Sequence, residues 1–134
     1  MVKFVETTAI IVTDGADSTR KTALAIAAEL KNCKIVSVSA KDFAGTDLLP
    51  AQYCFFGAEN PEPPSFKNLY RILQHINLSG RSCGVFSNSK KASDYLCTMV
   101  HDSELALYPS PYLGEGSIKD WVNKVISGAG TNKT

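Results

Sequence analysis

The stretch TTAIIVTDGADSTRKTALAIA, Thr7 to Ala27, changes its pattern at Asp14-Gly15, and this change decides the fold. Before it, Thr7–Thr13 is β-branched and continuously apolar, as expected of a parallel strand covered on both faces. After it, apolar residues recur at helical spacing, which predicts a long helix with Asp17 or Ser18 as its N-cap. A strand, a glycine turn and a helix start direct backbone N–H groups and a positive dipole end to one point. The turn is therefore predicted to suit a phosphate group.

The alternation of strand and helix patterns continues along the chain. Further stretches have the pattern of strands: Cys33–Ala40, Ala51–Ala58, Ser82–Asn88 and Ser103–Pro109. Others have the pattern of amphipathic helices: Phe66–Ile76, Lys90–His101 and Ser117–Ile126. Parallel strands need crossover connections, and these connections place helices on both faces of the sheet. The expected architecture is an α/β three-layer sandwich around a five-stranded parallel sheet.

The composition is that of a single soluble globular domain. The chain has 134 residues, 44% of them hydrophobic and 20% charged, and its formal net charge is +1. This balance gives no electrostatic bias toward nucleic acid or a membrane. Residues 1–127 are expected to form the domain, and the polar, glycine-rich residues 128–134 a flexible tail. No secretion signal and no apolar run of the ~20 residues that span a bilayer is present, so the expected location is the cytoplasm.

The cysteines are predicted to be reduced core thiols. Cys33, Cys54, Cys83 and Cys97 are scattered singly, with no C-x-x-C pair and no metal-ligand spacing. No metal site and no catalytic residue is predicted from the sequence.

In doubly wound sheets, ligands lie outside the C-terminal ends of the strands, at the point where the strand order reverses. The loops that begin at Asp14, Gly57, Ser87 and Pro109 are expected at that edge. Nucleotide hydrolysis is one candidate, because Gly15 to Thr22 matches the Walker A pattern except that Arg20 stands at its second glycine. A large side chain there would occupy the space of the phosphate, and no Walker B strand follows. The pattern therefore disfavours this candidate.

The order and lengths of the elements from Thr7 to Ile126 resemble those of the short-chain flavodoxins. LSGRSCGVFSNSKKASDY, Leu78 to Tyr95, stands where that family has its sGKkvalFGs fourth strand and flavin loop. The resemblance implies a flavodoxin-like fold with strand order 2-1-3-4-5. It also implies noncovalently bound flavin mononucleotide (FMN) and electron transfer to a redox partner protein.

In that family the first turn, [ST]-x-[ST]-G-x-T, holds the FMN phosphate through hydroxyls and backbone N–H groups. The motif falls on the following residues here: Asp14, Gly15, Ala16, Asp17, Ser18 and Thr19. Thr19 keeps the family residue, whereas Asp14 and Ala16 replace hydroxyls and Asp17 replaces the glycine. Two carboxylates would oppose a phosphate dianion. In the alternative interpretation, Asp17 caps the helix and satisfies the N–H groups that a phosphate would take.

The resemblance also assigns the flavin ring to the loops after the third and fourth strands. The residues implied there are Gly57, Ala58, Glu59, Asn60, Ser87, Asn88 and Ser89. Flavodoxins enclose the ring between aromatic side chains, but GAENPEPPS (57–65) and SNSKKASD (87–94) contain none. Phe66 and Tyr95 follow these loops, and either they reach inward to the ring or they pack in the core.

Two functions follow from these observations. The resemblance implies a small FMN-binding electron-transfer protein. The residues at the turn favour the alternative, a flavodoxin-like domain that has weakened or lost FMN binding and serves as an interaction or other-ligand module. Flavodoxins are usually strongly acidic, which suits docking to basic redox partners, and a net charge of +1 departs from that pattern.

Overall fold

The computed structural model describes residues 7–30, 33–42, 48, 50–59 and 66–128. The five strands are β1 (Thr7–Thr13), β2 (Cys33–Ser39), β3 (Ala51–Gly57), β4 (Ser82–Phe86) and β5 (Ala106–Leu107). All pair in parallel, in the order β2-β1-β3-β4-β5. This arrangement confirms the predicted sheet. Asn60 and residues 129–134 of the expected tail lie outside the described residues, whereas Gly128, the first residue of that tail, is the last residue of the final helix.

Helices cover both faces of the sheet. They are α1 (Asp17–Glu29), α2 (Phe66–Leu73), α3 (Lys90–His101) and α4 (Ile118–Gly128), with a 3-10 turn at Ala40–Asp42. One buried cluster joins β1, β3 and β4 to α2 and α3, with Phe56, Phe66 and Leu96 fully buried. A second joins the opposite face of the sheet to α1 and α4 through Phe55, Phe86 and Trp121. None of the described helices has the length and apolarity needed to cross a bilayer.

β1 is central because its side chains are buried on both faces. Residues Thr8 to Thr13 are all buried, and the strand pairs with β2 on one side and β3 on the other. The register aligns Thr13 with Ser39 of β2 and with Gly57 of β3. The ends of these three strands therefore lie side by side at one edge, which positions the loops described below.

The fifth strand is much shorter than predicted. Only Ala106–Leu107 pairs continuously with β4, and the pairing resumes as an isolated bridge between Tyr112 and Phe86. The chain between them contains Pro109 and Pro111, which have no N–H to donate to a ladder. The predicted strand over 103–109 is wrong at both ends. The prolines interrupt its C-terminal end, and its N-terminal end has no ladder because β4 begins at Ser82, opposite Ala106.

Two cysteines face each other across neighbouring strands. Cys54 of β3 is in register with Cys83 of β4, and both side chains are fully buried. Burial disfavours the charged thiolate, so it raises the pKa of Cys54 to about 12 and raises the pKa of Cys83 well above its ordinary value. Cys33 and Cys97 are half-buried and pack against the two buried clusters. The prediction of core thiols is therefore met by Cys54 and Cys83, and their reduced state stays a prediction.

Alkylation at pH 9 is expected to be faster at the half-buried cysteines than at the buried pair. The thiolate is the nucleophile, and the raised pKa keeps Cys54 and Cys83 neutral at that pH. In folded protein treated with iodoacetamide, mass spectrometry of peptides should find Cys33 modified first and Cys54 and Cys83 modified only as fast as the chain unfolds. Labelling of Cys54 in folded protein at the rate of Cys33 would contradict the buried pair.

Candidate functional site

The candidate site lies at the C-terminal edge of the sheet, where the loops after β1, β3 and β4 meet. After β1, the chain reverses at Gly15, whose φ of +87° is a left-handed conformation that glycine adopts without strain. The Thr13 hydroxyl accepts a hydrogen bond from the Gly15 N–H at 3.3 Å. The Asp14 N–H donates to the Gly57 carbonyl at 3.2 Å, which ties the β1–α1 turn to the end of β3.

The carboxylate of Asp14 is the centre of this edge. Its Oδ1 accepts hydrogen bonds from the Ala16 N–H at 3.0 Å and from the Thr19 hydroxyl at 2.9 Å. Its Oδ2 accepts from the N–H of Glu59 at 2.8 Å. One side chain thus joins the turn, the first turn of α1 and the loop after β3. Hydrogen bonds to an ionised acceptor are stronger than neutral ones, so this carboxylate fixes the edge firmly.

The predicted N-cap of α1 is wrong. The N-cap is Ala16, in extended conformation, and its methyl side chain accepts no hydrogen bond. Asp17 is the first helical residue and is exposed, where its charge complements the helix dipole. Ser18 does not cap either, because its hydroxyl donates to the Glu59 carboxylate. Instead of an N-cap side chain, the Asp14 carboxylate accepts the hydrogen bond of the Ala16 N–H across Gly15. This arrangement is an Asx-turn.

The loops after β3 and β4 are held together by Ser87. Its hydroxyl donates to the carbonyl of Ala58, with the oxygens 2.5 Å apart, and its N–H donates to the Tyr112 carbonyl at 2.9 Å. Ser87 Oγ also accepts from the Ser89 N–H at 2.9 Å. Ser87 and Ala58 are buried, so they support the loops of the edge but do not face solvent.

Three further predicted site residues occupy distinct positions. Ser89 is the N-cap of α3 and its hydroxyl accepts from the Ala92 N–H at 3.3 Å. Asn88 is exposed at the tip of the loop after β4. Gly57 is packed so closely that a Cβ there would overlap the ring of Phe86, a buried residue. Close packing therefore accounts for the glycine at that position.

The two candidate ring partners pack against protein. Phe66 is fully buried in the core between α2 and the sheet. Tyr95 packs edge-on against Tyr70 of α2, with ring centroids 6.0 Å apart. The Tyr70 hydroxyl donates to Asp102 at 2.5 Å, and this bond raises the pKa of Tyr70. Of the loop residues that the structure describes, 57–59 and 87–89, none is aromatic.

No protein-family model matches this sequence, and no curated protein matches it either. Solved structures do match. A short-chain flavodoxin associated with a bacterial microcompartment superimposes with a TM-score of 0.76 at 13% identity, covering 93% of this chain and 99% of that one. The chain has a flavodoxin-like fold.

Other flavodoxins agree with this assignment. Oxidised flavodoxin 2 from Bacillus cereus has a TM-score of 0.75 at 14% identity, with 90% of this chain and 99% of that one covered. A flavodoxin from the domain Archaea has a TM-score of 0.74 at 16% identity, with 91% and 98% covered. At such low sequence identities the likeness shows the fold alone. The flavodoxin-like fold implied by the sequence resemblance is therefore confirmed.

The flavodoxin-like edge does not suit the phosphate of FMN. The Ala16 N–H and the Thr19 hydroxyl are donors at the start of α1, and both already bind the Asp14 carboxylate. A phosphate would have to displace a carboxylate of the same sign from these donors. Among the described residues there is also no group of three or more His, Cys, Asp or Glu side chains that could hold a metal ion.

Sequence reasoning named Asp14 as a departure from the motif but missed its inward orientation. The available signal was the Asp-Gly pair, because an aspartate before a glycine turn commonly accepts a hydrogen bond from the backbone N–H two residues later in the chain. The link to Glu59 had no local signal, since it joins residues 45 positions apart. The structure does bring the predicted residues Ser18, Thr19 and Glu59 together, whereas Asn60 lies outside the described residues.

Removal of the Asp14 carboxylate is expected to destabilise the fold measurably. Asp14→Ala leaves the N–H groups of Ala16 and Glu59 without their acceptor and the Thr19 hydroxyl with the Ala16 carbonyl alone, which costs about 1–3 kcal/mol of unfolding free energy. Asp17→Ala is the matched control, because it removes the same charge from an exposed position and should change stability by less than about 0.5 kcal/mol. Urea unfolding followed by circular dichroism measures both. Equal stability of the two variants would contradict the role assigned to Asp14.

Proposed function

We propose that this protein is a flavodoxin-like binding module in which the Asp14 carboxylate takes the place of the flavin phosphate. In this proposal FMN binding is weakened or lost, and the edge formed by the loops after β1, β3 and β4 contacts a partner protein or a ligand other than FMN. The observation that carries the proposal is the set of three hydrogen bonds that the turn and Glu59 donate to Asp14.

Electrostatics supports the loss of flavin affinity. Two unit charges of the same sign ~5 Å apart repel by about 3 kcal/mol at an effective dielectric constant of about 20. Each factor of ten in affinity corresponds to about 1.4 kcal/mol, so one inward carboxylate lowers phosphate affinity by roughly 100-fold. The side chains of Arg20 and Lys21 are exposed to solvent, which screens their compensating charge.

The surroundings of a flavin ring support the same proposal. Phe66 and Tyr95 pack against protein, and residues 57–59 and 87–89 offer no aromatic face for stacking. The edge instead presents polar and charged groups, among them Asp17, Glu59 and Asn88, which are exposed. Because hydrogen bonds already hold these loops, a partner would meet a surface that needs little ordering, and this preorganisation favours binding.

An FMN-dependent electron carrier is the second candidate, and one observation favours it. The backbone still forms strand, glycine turn and helix start, with φ of +87° at Gly15 and a helix of 13 residues behind it. In that case Ser18 and Thr19 would hold the phosphate, the loops at Gly57 and Ser87 would flank the ring, and the partner would be a redox protein. FMN would supply the redox chemistry.

Flavin titration separates the two candidates. The purified protein should be colourless and should retain no flavin absorption after incubation with excess FMN and removal of the free cofactor. Asp14→Ser should raise FMN affinity about 100-fold, because it removes the inward charge and restores the family's hydroxyl. Asp17→Ser is the matched control and should change affinity only slightly, since its carboxylate is exposed. Fluorescence quenching of FMN measures each affinity.

Two results would contradict the proposed function. One is a yellow wild-type protein with micromolar or tighter FMN affinity, which would support the electron carrier. The other is a folded Asp14→Ser/Ala16→Thr/Asp17→Gly variant with no gain in flavin affinity, which would mean that the carboxylates are not what excludes the phosphate.

A further inference from the structure

A groove separates α1 from the ends of β1 and β2. It has a volume of about 390 Å³ and is lined by the side chains of Thr13, Arg20, Ala23, Leu24, Ser37 and Ser39. β2 and β3 flank β1 on opposite sides, so this groove lies away from the β3 and β4 loops of the proposed binding edge. The groove shares Gly15 of the β1–α1 turn with that edge, but no residue of the β3 or β4 loops lines it.

Hydrogen-bond donors line the sheet side of the groove. Thr13 is buried, with 6% of its surface exposed, and its oxygen accepts the Gly15 N–H. The Ser39 oxygen likewise accepts the Lys41 N–H at 3.2 Å. Since each oxygen serves as an acceptor, each hydroxyl proton is left to donate, and neither does so to any residue that the structure describes.

Ser37 completes this row of hydroxyls. The register pairs Ser37 with Ile11 and Ser39 with Thr13, so Ser37, Ser39 and Thr13 share the face of the sheet that α1 covers. Within the described part of the chain, the Ser37 hydroxyl has no hydrogen-bond partner. Ser37 is exposed and Ser39 is half-buried, so both can meet solvent. Thr13 is buried, and because a buried hydroxyl proton without an acceptor is costly, it favours an acceptor inside the groove.

Arg20 supplies a positive charge on the helix side. Its guanidinium makes no ion pair or hydrogen bond with any described residue, although its backbone N–H donates to Ala16. Guanidinium offers planar, forked donors that match carboxylate and phosphate groups. The guanidinium and the hydroxyl protons on the sheet side are donors that suit an anion.

The other part of the groove is apolar. Ala23 and Leu24 lie on the next turn of α1, and Leu24 is 73% exposed although it is a large hydrophobic residue. An aliphatic chain lying on Leu24 would remove this surface from water. The groove thus combines an anion-binding end with a short apolar wall.

We propose that this groove binds a small organic anion, whose carboxylate or phosphate group pairs with Arg20 and the hydroxyls of Thr13, Ser37 and Ser39. The short aliphatic part of the ligand lies on Ala23 and Leu24. Both head groups have the same acceptor chemistry, and the experiment distinguishes them.

The test is a titration of the ¹⁵N-labelled full chain, followed by NMR, with three probes: pentanoate, monobutyl phosphate and inorganic phosphate. Pentanoate or monobutyl phosphate should shift the amides of Gly15, Leu24, Ser37 and Ser39, and the probe with the lower Kd identifies the head group. Inorganic phosphate should bind at least tenfold more weakly than the better organic probe, because it makes no contact with Leu24.

Matched variants establish where the charge acts. Arg20→Gln should raise the Kd of the better probe at least tenfold. Lys21→Gln removes the same charge from the neighbouring exposed position outside the groove lining, and should leave the Kd within about twofold. Leu24→Ala should abolish the preference for the organic probes over inorganic phosphate.

Three outcomes would overturn the proposal. The first is the absence of amide shifts up to 50 mM of every probe, and the second is equal weakening by Arg20→Gln and Lys21→Gln, which would indicate nonspecific charge attraction. The third is equal affinity for inorganic phosphate and the organic probes in the wild-type protein. None of these outcomes bears on FMN affinity at the Asp14 turn, so the proposed function is tested separately.

Discussion

The carboxylate of Asp14 joins three segments that leave neighbouring strands of the sheet. It accepts hydrogen bonds from the turn at Ala16, from Thr19 in α1 and from the backbone of Glu59 after β3. An anionic acceptor at this position satisfies donors that a flavodoxin-like turn otherwise directs at a ligand. The donors at this edge of the sheet are therefore satisfied by the protein itself. The positions of the turn and of the loop after β3 depend on these hydrogen bonds.

Because the Asp14 carboxylate is an internal acceptor, the shared fold does not imply a shared ligand. The sheet order, the helices on both faces and the glycine turn agree with solved flavodoxins across 90% or more of the chain. The carboxylate at the turn repels a phosphate group, and the described residues of the loops after β3 and β4, 57–59 and 87–89, include no aromatic ring. A shared fold positions the site, but the side chains at the site determine what it binds. The groove beside Arg20 illustrates the same principle, since its own side chains determine which ligand would suit it.

The sequence predicted the parts of the fold that depend on local pattern. β1 and α3 begin and end where the pattern placed them, because continuous burial and helical periodicity are strong signals over such lengths. β5 was predicted too long, since its pairing is interrupted by prolines and resumes only at Tyr112. The site was predicted only in outline. The end of β1 was placed correctly, and β3 and β4 end within two residues of their predicted ends. The orientation of Asp14 was not predicted, because it depends on Glu59, far away in sequence.

The most direct test of the central claim is hydrogen exchange of the Glu59 amide, measured by NMR with and without excess FMN. Glu59 is exposed, so an amide without a partner there would exchange at the rate of an open loop. If Asp14 holds this N–H, exchange is slowed well below that rate and does not change when FMN is added. Rapid exchange in the free protein that becomes slow on addition of FMN would contradict the account, because the flavin would then provide the order assigned to Asp14.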